Sequence, residues 1–290
     1  MDYGEPGLKQ TMAHVGALKG SGLKAAAGLG KNRDEASAPH TVEVKGAKIG
    51  FSAIGIVTNN LERHRAGEAK PGQIAYRFDD DWSLVRKRLK ETPADIRILS
   101  IHYGTEGYVR TDDRQIREWR GQAAREDGFD IIVGHHAHVV RGVEMSGKSL
   151  IMCGLGNFLH HGTANITGKD VCRNFGLMTR VHLTRDATAK WSIGAVEAIP
   201  VTDTHYRPRR LEGDAGVRRI HALNHRARTL HASDGANGLR LTPQPGGTGL
   251  HCTSAGKAAK GAVGKLCAAW REPPAIPAQY TGEIASSCAR

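Results

Sequence analysis

The sequence predicts an α/β fold, and three observations carry that prediction. An apolar strand at Asp95–Ser100, a helical pattern at Asp112–Glu126 and a second apolar run at Phe129–Val133 follow one another. Strand, helix and strand within about forty residues form the βαβ unit, whose strands run parallel with a right-handed crossover. Hydrophobic residues make up 39% of the 290 residues and charged residues 24%, which supplies a core and excludes a wholly disordered chain. Glycine is abundant, with 36 residues, so we expect many loops.

Before the βαβ unit the chain shows a helix, a strand pair and a second helix. Apolar residues at helical spacing predict a helix over Glu5–Leu18. Thr41–Ile56 is rich in β-branched residues and interrupted by Lys45-Gly46, which predicts two strands joined by a tight turn. An acidic start followed by apolar residues at helical spacing predicts a helix over Asp81–Glu91.

After the βαβ unit the chain carries further strands, then a basic segment and a region of different composition. The strands are expected at Val139–Met145, Ser149–Cys153, Gly176–Leu183 and Trp191–Ile199. Arginine-rich periodicity predicts a basic helix within residues 212–232. Residues 233–290 combine proline, glycine and alanine with little periodicity, so a flexible tail is expected there in preference to a second folded domain.

The charge balance favours an anionic partner. Forty-one Lys and Arg residues against 29 Asp and Glu residues give a formal net charge of +12. Such an excess attracts anionic polymers, phosphorylated substrates or nucleic acid, but it carries no information about the fold. The basic helix is either a solvated surface or a polyanion-binding face. The chain contains no recognised nucleic-acid motif, so specific nucleic-acid binding is not expected.

The five cysteines do not form a recognisable framework. Their number is odd, C-x-x-C does not occur and the spacings fit no zinc site, so a disulfide scaffold is not expected. Cys153 lies in the apolar run Leu150–Cys153, which predicts a small buried thiol.

Histidines follow both strands of the predicted βαβ unit. His102 lies at the C-terminal end of the first strand, and His135, His136 and His138 follow the second. The C-terminal ends of parallel strands meet at one edge, which is where such sheets bind ligands. Histidines two apart in an extended segment face the same way, so His136 and His138 can point at a centre that His102 approaches. Neutral imidazoles suit Zn, Mn, Fe or Ni. The alternative is a polar loop whose histidines hydrogen-bond to the backbone.

Two further polar residues belong to the same edge. Glu106 follows His102 closely and is either a general base, a carboxylate that supports a ligand, or an exposed loop acid. Asn157 follows the strand Ser149–Cys153 and either donates to a substrate oxygen, holds a ligand or caps a turn. We expect His160 and His161 to face solvent.

Three segments, in this order along the chain, resemble the signatures of the CapA family. These are poly-γ-glutamate capsule biosynthesis proteins of the calcineurin-like metallophosphoesterase superfamily. The matching segments are His102-Tyr-Gly-Thr-Glu106 for HWGxE, Gly134-His-His-Ala-His138 for GHHPH and Leu155-Gly-Asn-Phe158 for LGNF. The opening Met1-Asp-Tyr-Gly4 resembles the DYG segment of the family, and the resemblance covers residues 1–211. Two positions depart mildly, Tyr103 from Trp and Ala137 from Pro.

The resemblance implies a four-layer α/β/β/α sandwich with a dinuclear metal centre. It implies His102, His136 and His138 as metal ligands, with Glu106 and Asn157 at the site. The cofactor would be one or two divalent ions of Mn, Fe, Zn or Ni. The implied reaction is attack of a metal-polarised water on a phosphoryl or carbonyl centre, with the adjacent His135 as acid.

The resemblance also implies a fold that is incomplete at its N-terminus. Family members carry Gly-Asp, Asn-Glu and Asn-His segments ahead of the DYG segment, where this sequence starts, so residues 1–211 are expected to lack the first segment and its ligands. A non-catalytic homologue that only binds anionic polymer is therefore the alternative function. The expected partners are an anionic polymer or a phosphorylated small substrate, together with membrane-associated capsule machinery.

Association with the cell envelope is what the resemblance implies for localisation. The residues themselves add nothing to it. No apolar run approaches the roughly 18 residues of a membrane span, and Met1–Gly20 shows no apolar core of a secretory signal.

Overall fold

A computed structural model of the chain describes residues 4–55, 61–123, 128–162, 170–229, 238–273 and 275–288. The first three residues of the DYG segment therefore lie outside the described residues. The chain divides into two compact units, unit 1 with residues 1–103 and 127–132, and unit 2 with residues 104–126 and 133–290. Helices and strands occur in both, so the predicted α/β class is confirmed.

Unit 1 contains the predicted helix, hairpin and second helix in that order. Its elements are α1 (Gly4–Gly20), β1 (Leu29–Gly30), α2 (Arg33–Ala36), β2 (His40–Val44), β3 (Ala47–Ile54), α3 (Leu61–His64), β4 (Gly72–Gln73), α4 (Asp79–Glu91) and β5 (Ile96–His102). The turn at Lys45-Gly46 joins β2 and β3 as predicted, with Val44 opposite Ala47. β3 then pairs in parallel with β5, Ile54 opposite Ile101. Helix α4 buries Trp82, Val85 and Leu89.

A buried ion cluster secures the start of α4. Asp81 is fully buried, and its carboxylate accepts hydrogen bonds from Arg33 Nε at 2.8 Å, Arg65 Nε at 3.0 Å and the Ala75 N–H at 3.0 Å. The neighbouring Asp80 pairs with both guanidinium groups. Burial alone would raise the pKa of Asp80, but the hydrogen bonds and charges of the arginines outweigh it and lower that pKa. The cluster thus connects three segments of unit 1 that are distant in sequence.

Unit 2 contains the remaining elements. They are α5 (Asp113–Ala123), β6 (Ile131–His135, its first two residues belonging to unit 1), β7 (Val143–Ser146), β8 (Ser149–Met152), β9 (Gly176–Arg185), β10 (Trp191–Thr202), β11 (Arg209–Arg210), α6 (Gly213–Thr229), β12 (Thr242–Pro243), β13 (Gly249–Cys252), α7 (Ser254–Ala258), α8 (Gly261–Ala268) and α9 (Ala278–Ser287). β6 ends later than predicted, so His135 is its last residue rather than the first loop residue.

Two sets of strands organise unit 2. β7 and β8 form an antiparallel hairpin, with Ser146 opposite Ser149. β9 and β10 form a longer hairpin that carries a bulge between Ile193 and Ala195. β10 also pairs with β11 and with β13. Helix α5 buries Trp119 and Ala123 on one face.

The region from residue 233, expected as a flexible tail, is ordered where the structure describes it. β13 pairs antiparallel with β10, Ala195 opposite Cys252. The N–H of Leu239 donates to the carbonyl of Val143 at 2.8 Å, at the edge of β7. Tyr280 and Ile284 of α9 are buried in one cluster with Val139 and Ala222. The segment is ordered because it buries apolar side chains and pairs with strands that lie far away in sequence, which composition alone does not reveal.

Two disulfide bonds correct the expectation that the cysteines form no framework. Cys172 pairs with Cys288 across 116 residues of sequence, with Cα atoms 5.4 Å apart. Cys252 pairs with Cys267, with Cα atoms 5.8 Å apart. Cys153 is the odd residue and is a free, buried thiol, as predicted.

The arginines of α6 differ in their surroundings. Arg226 is buried, its guanidinium donates to the carbonyl of Cys288 at 2.5 Å, and burial lowers its pKa to about 10. Arg219 donates to Asn174 Oδ1 at 2.6 Å. Three arginines that precede the helix are exposed and form a basic surface: Arg207, Arg209 and Arg210. Residues 230–232, at the end of the predicted basic segment, lie outside the described residues.

Within the described ranges, we find no helix with both the length and the apolar character needed to cross a bilayer.

Candidate functional site

The loop after β6 carries its histidines in an unusual backbone conformation. His136 and His138 have positive φ angles of 97° and 60°. Residues other than glycine seldom adopt that region, and where they do the strain concentrates at functional sites. Gly134 precedes them because a Cβ there would lie 2.5 Å from the Cys153 carbonyl oxygen, so only glycine permits the approach of β6 to the end of β8.

Glu106 lies next to the imidazole of His136. Its Oε1 is 3.6 Å from His136 Nε2, and the side chain of His136 is 9% exposed against 48% for Glu106. The loop that carries Glu106 contacts the histidine loop through the backbone as well, because the Gly107 N–H donates to the Ala137 carbonyl at 2.9 Å. The carboxylate can therefore exchange a proton with solvent while it faces a nearly buried imidazole.

Asn157 contacts His138. Its Oδ1 lies 2.7 Å from His138 Nδ1, and the residue is 7% exposed. An amide oxygen only accepts hydrogen bonds, so Nδ1 carries the hydrogen and Nε2 keeps its lone pair in the neutral ring. Asn157 thereby selects the tautomer in which Nε2 of His138 is available to a ligand. Of the roles expected for Asn157, this contact fits the support of a ligand rather than a turn cap.

The two histidines after the LGNF-like segment are exposed, as expected. His160 nevertheless contacts the site, because its ring centroid lies 4.8 Å from that of His138 in an edge-to-face arrangement. Sequence reasoning missed this contact, since the spacing of His138 and His160 suggests no pairing. The rings of His136 and His138 have centroids 6.2 Å apart.

His135 has an altered acidity. Burial, and then the charge of the neighbouring His136, lower the pKa of its imidazole. The ring is therefore neutral at pH 7 and can both donate and accept a hydrogen bond.

His102 is the last residue of β5 in unit 1. The ring of the adjacent Tyr103 packs edge-on against Tyr76, with centroids 4.8 Å apart. The convergence of His102 with His136 and His138 stays a prediction.

Arg141 is a buried residue beside the site that the sequence analysis did not single out. Its side chain is 0% exposed, and its Nη1 donates to Asp112 Oδ2 at 2.5 Å. A charged residue within the apolar run Val139–Val143 was the available signal, because buried charges occur where a partner is present.

The candidate site residues of unit 2 include side-chain types that divalent metal ions use as ligands. His136 and His138 supply two imidazoles, which borderline transition metals accept as nitrogen donors, and the carboxylate of Glu106 lies beside His136 as a candidate base. Asn157 Oδ1 accepts the hydrogen bond from His138 Nδ1, which leaves Nε2 as the nitrogen with the lone pair in the neutral ring. In the part of the chain that the structure describes, no group of three His, Cys, Asp or Glu side chains is arranged so that it could hold a metal ion.

Two proteins of capsule biosynthesis are similar to this chain in sequence. The chain is 26% identical over 197 residues to the PGA biosynthesis protein CapA of Bacillus subtilis strain 168, which covers 68% of this chain and 48% of that protein. It is 28% identical over 160 residues to the capsule biosynthesis protein CapA of Bacillus anthracis, which covers 54% of this chain and 37% of that protein. The chain thus spans about half or less of the length of these relatives.

Among solved structures, the crystal structure of a hypothetical protein from Thermus thermophilus is 11% identical, with a TM-score of 0.30, and covers 59% of this chain and 58% of that one. That score is too low to inform the fold. The family described as bacterial capsule synthesis protein PGA_cap matches residues 1–161. This range contains the three motifs at residues 102–106, 134–138 and 155–158. Because the match covers more than half of the sequence, the chain belongs to the PGA_cap family of bacterial capsule synthesis proteins, whose α/β fold is of the metallophosphoesterase type.

Proposed function

We propose that this capsule-synthesis family member is a metal-dependent hydrolase of the metallophosphoesterase kind that acts in poly-γ-glutamate synthesis. One observation carries the proposal, the hydrogen bond of 2.7 Å between Asn157 Oδ1 and His138 Nδ1. It fixes an imidazole in its ligand tautomer beside a second histidine that faces a carboxylate. Histidines that bind metal ions donate their other ring N–H to an oxygen acceptor, which fixes the tautomer and the orientation of the ring.

His136 and His138 would hold the ion, and His102 is a further ligand that the family resemblance predicts. When bound, a divalent ion polarises the substrate oxygen and makes water a better nucleophile. Glu106 is exposed enough to meet substrate and accepts the proton of the attacking water. His135, neutral at pH 7, donates its ring N–H to the leaving group, which is an oxygen in a phosphate ester and a nitrogen in a γ-linked amide. Asn157 acts by orienting His138.

The substrate class follows from charge. The net charge of +12 favours an anionic polymer or a phosphorylated small molecule. The electrophilic centre is a carbonyl carbon in the polymer, whose carboxylates are separate groups, and it is the phosphorus that carries the anionic oxygens in a phosphorylated substrate. The capsule machinery at the membrane is the setting that we propose for this reaction, on the strength of the family.

Metal content and hydrolysis test the proposal together. Purified chain would be loaded with Mn²⁺, Zn²⁺ or Ni²⁺, dialysed, and assayed for bound metal, for release of p-nitrophenol from its phosphate esters, and for shortening of γ-linked polyglutamate. We expect at least one bound ion per chain and hydrolysis that chelators abolish. His136→Ala should lose both, whereas His161→Ala, which replaces an exposed imidazole outside the site, should lose neither. Absence of bound metal, or metal binding equal in both variants, would overturn the proposal.

A second function, binding of an anionic polymer without catalysis, is favoured by the exposed Arg207, Arg209 and Arg210. Binding of polyglutamate measured at increasing salt would test it, because such binding weakens as salt screens the charges. Replacement of the three arginines by glutamine should abolish binding if this surface is responsible, while His136→Ala should leave it intact. Competition between polyglutamate and duplex DNA distinguishes an acidic polymer from a nucleic acid.

A further inference from the structure

Arg141 is a fully buried guanidinium in an apolar run. Its side chain has 0% exposure, and its neighbours Val139, Val140 and Val143 are buried as well. A buried charge destabilises the fold unless its N–H groups are hydrogen-bonded. The guanidinium and the groups that accept its hydrogen bonds therefore hold one another in place. Those groups belong to the segments that carry the site.

On one side Arg141 binds the loop that carries Glu106, here called the acid loop (Gly104–Asp112). Its Nη2 donates to the Thr105 carbonyl at 2.6 Å, and its Nε donates to the Tyr108 carbonyl at 3.0 Å. These two carbonyls lie on either side of Glu106. Asp112 closes the loop, since it accepts from Arg141 Nη1 at 2.5 Å and from the Thr105 hydroxyl at 2.6 Å.

On the other side Arg141 is connected to the strand end that leads to Asn157. Its own N–H donates to the Gly154 carbonyl at 2.9 Å. Its guanidinium also donates to Gln115 Oε1, and Gln115 Nε2 donates to the Cys153 carbonyl at 3.0 Å. The residue that positions Glu106 therefore also fixes the backbone that precedes Asn157.

The surrounding glycine makes room for this side chain. Gly104 has φ +142°, and a Cβ there would lie 2.9 Å from Arg141 Nη1. The acid loop can approach the guanidinium so closely only because position 104 has no side chain.

We propose that Arg141 is a positioning residue that couples Glu106 to the His138–Asn157 pair, because its guanidinium binds the acid loop directly and, through Gln115, holds the Cys153 carbonyl ahead of Asn157. Its consequence for metal binding and catalysis rests on the proposed function. Its consequence for the acid loop does not, because the hydrogen bonds to Thr105 and Tyr108 exist whatever the site does.

Arg120 supplies a matched control. It is a mostly buried arginine of the same unit, 16% exposed, and it donates to the buried Glu144 at 2.6–3.0 Å. None of these hydrogen bonds involves the acid loop. Arg120→Lys and Arg141→Lys remove comparable charge-assisted hydrogen bonds, so a general loss of stability should appear in both variants, whereas an effect on the site should appear in one.

Hydrogen exchange of backbone amides and Co²⁺ binding by the full chain make up the experiment. In Arg141→Lys we expect amide exchange in residues 104–112 to become at least tenfold faster. The affinity for Co²⁺ should fall about 10–100-fold, as it does when other residues that support metal ligands are replaced. The value of kcat should fall by a larger factor than KM rises. Arg120→Lys should show none of these changes. Arg141→Met, measured at low temperature, should show the same local exchange without any cation at position 141.

The outcomes separate the two proposals. If the unaltered chain binds no Co²⁺, the proposed hydrolase function fails, while faster exchange confined to residues 104–112 still supports the positioning role. If exchange in those residues is unchanged in Arg141→Lys, or changes equally in Arg120→Lys, the positioning role is overturned even where Co²⁺ binds.

Discussion

His138 and Asn157 lie nineteen residues apart in sequence, yet His138 Nδ1 and Asn157 Oδ1 are 2.7 Å apart. The contact joins the histidine loop after β6 to the LGNF-like segment after β8. The two side chains have different roles in this contact. His138 keeps Nε2 available to a ligand, and Asn157 orients the ring through Nδ1. The two motifs are therefore one structural feature, and a change in the asparagine should be felt at the histidine.

Asn157→Ala should lower the affinity for a divalent ion about 10–100-fold, because the ring of His138 loses the hydrogen bond that selects its tautomer. Asn157→Asp keeps an oxygen acceptor at the same place and should retain most of the affinity. Calorimetric titration with Zn²⁺ would measure both. Equal affinity in the alanine variant and the unaltered chain would show that Asn157 does not orient a ligand.

The thiol content of the protein should be low. Four of the five cysteines form disulfide bonds, and burial raises the pKa of the Cys153 thiol to about 12. A thiol reagent at pH 8 should therefore find no reactive group in the native protein, because the thiolate is the reactive form. It should find one group after unfolding without reductant, and five after unfolding with reductant. Three or more groups without reductant would contradict the pairing.

Local features were predictable from sequence, whereas distant partners were not. The hairpin turn at Lys45-Gly46 and helix α4 follow from residues that are neighbours in the chain, and both are as predicted. The disulfide between Cys172 and Cys288 spans 116 residues, and connectivity of this kind does not follow from spacing. The order of the C-terminal region likewise depends on a long-range contact, the pairing of β13 with β10.

The candidate site shows the same division. Glu106, His136, His138 and Asn157 were all singled out from motifs, and the structure brings them together in two pairs, Glu106 with His136 and His138 with Asn157. Arg141 was missed because its partner Asp112 lies 29 residues earlier. A buried guanidinium can be recognised from sequence only when its carboxylate partner is known. The sequence contains several other acidic residues that could have paired with Arg141.

Removal of the Asp81 carboxylate should destabilise unit 1. Asp81→Asn leaves Arg33 and Arg65 facing an uncharged amide in a buried place, and breaking a buried pair by removing one partner costs about 3–5 kcal/mol. The urea midpoint should fall accordingly. Asp34→Asn is a suitable control, since that carboxylate pairs with Arg88 but is 81% exposed, and it should cost about 0–1 kcal/mol. Similar losses in both variants would contradict a stabilising cluster.

The C-terminal helix should contribute to stability as a core element does. Ile284 is fully buried with Val139 and Ala222, and Ile→Ala in a packed core costs about 2–5 kcal/mol. Ala285→Gly, on an exposed face of the same helix, should cost about 1 kcal/mol through helix propensity alone. Equilibrium unfolding in urea measures both. A negligible loss for Ile284→Ala would indicate that α9 does not pack in solution.

The carboxylate of Asp112 gives the acid loop a predictable dependence on pH. Burial alone would raise the pKa of Asp112, but hydrogen bonds from Thr105 and Arg141 and the charge of Arg141 outweigh burial and lower it. An aspartate whose folded pKa lies below its unfolded value of about 3.9 contributes stability above that value and loses it as pH falls through the folded pKa. Asp112→Asn should therefore be less stable than the unaltered chain by about 2 kcal/mol at pH 7.

The difference in the free energy of unfolding between the unaltered chain and Asp112→Asn should stay constant from about pH 7 to pH 5. It should shrink below about pH 4, because the carboxylate protonates first in the unfolded chain. Urea unfolding at several pH values measures it, and the comparison of the two proteins cancels the titration of every other group. A difference that grows as the pH falls would mean that Asp112 is stabilised as the neutral acid, and its pairing with Arg141 could not then be what closes the acid loop.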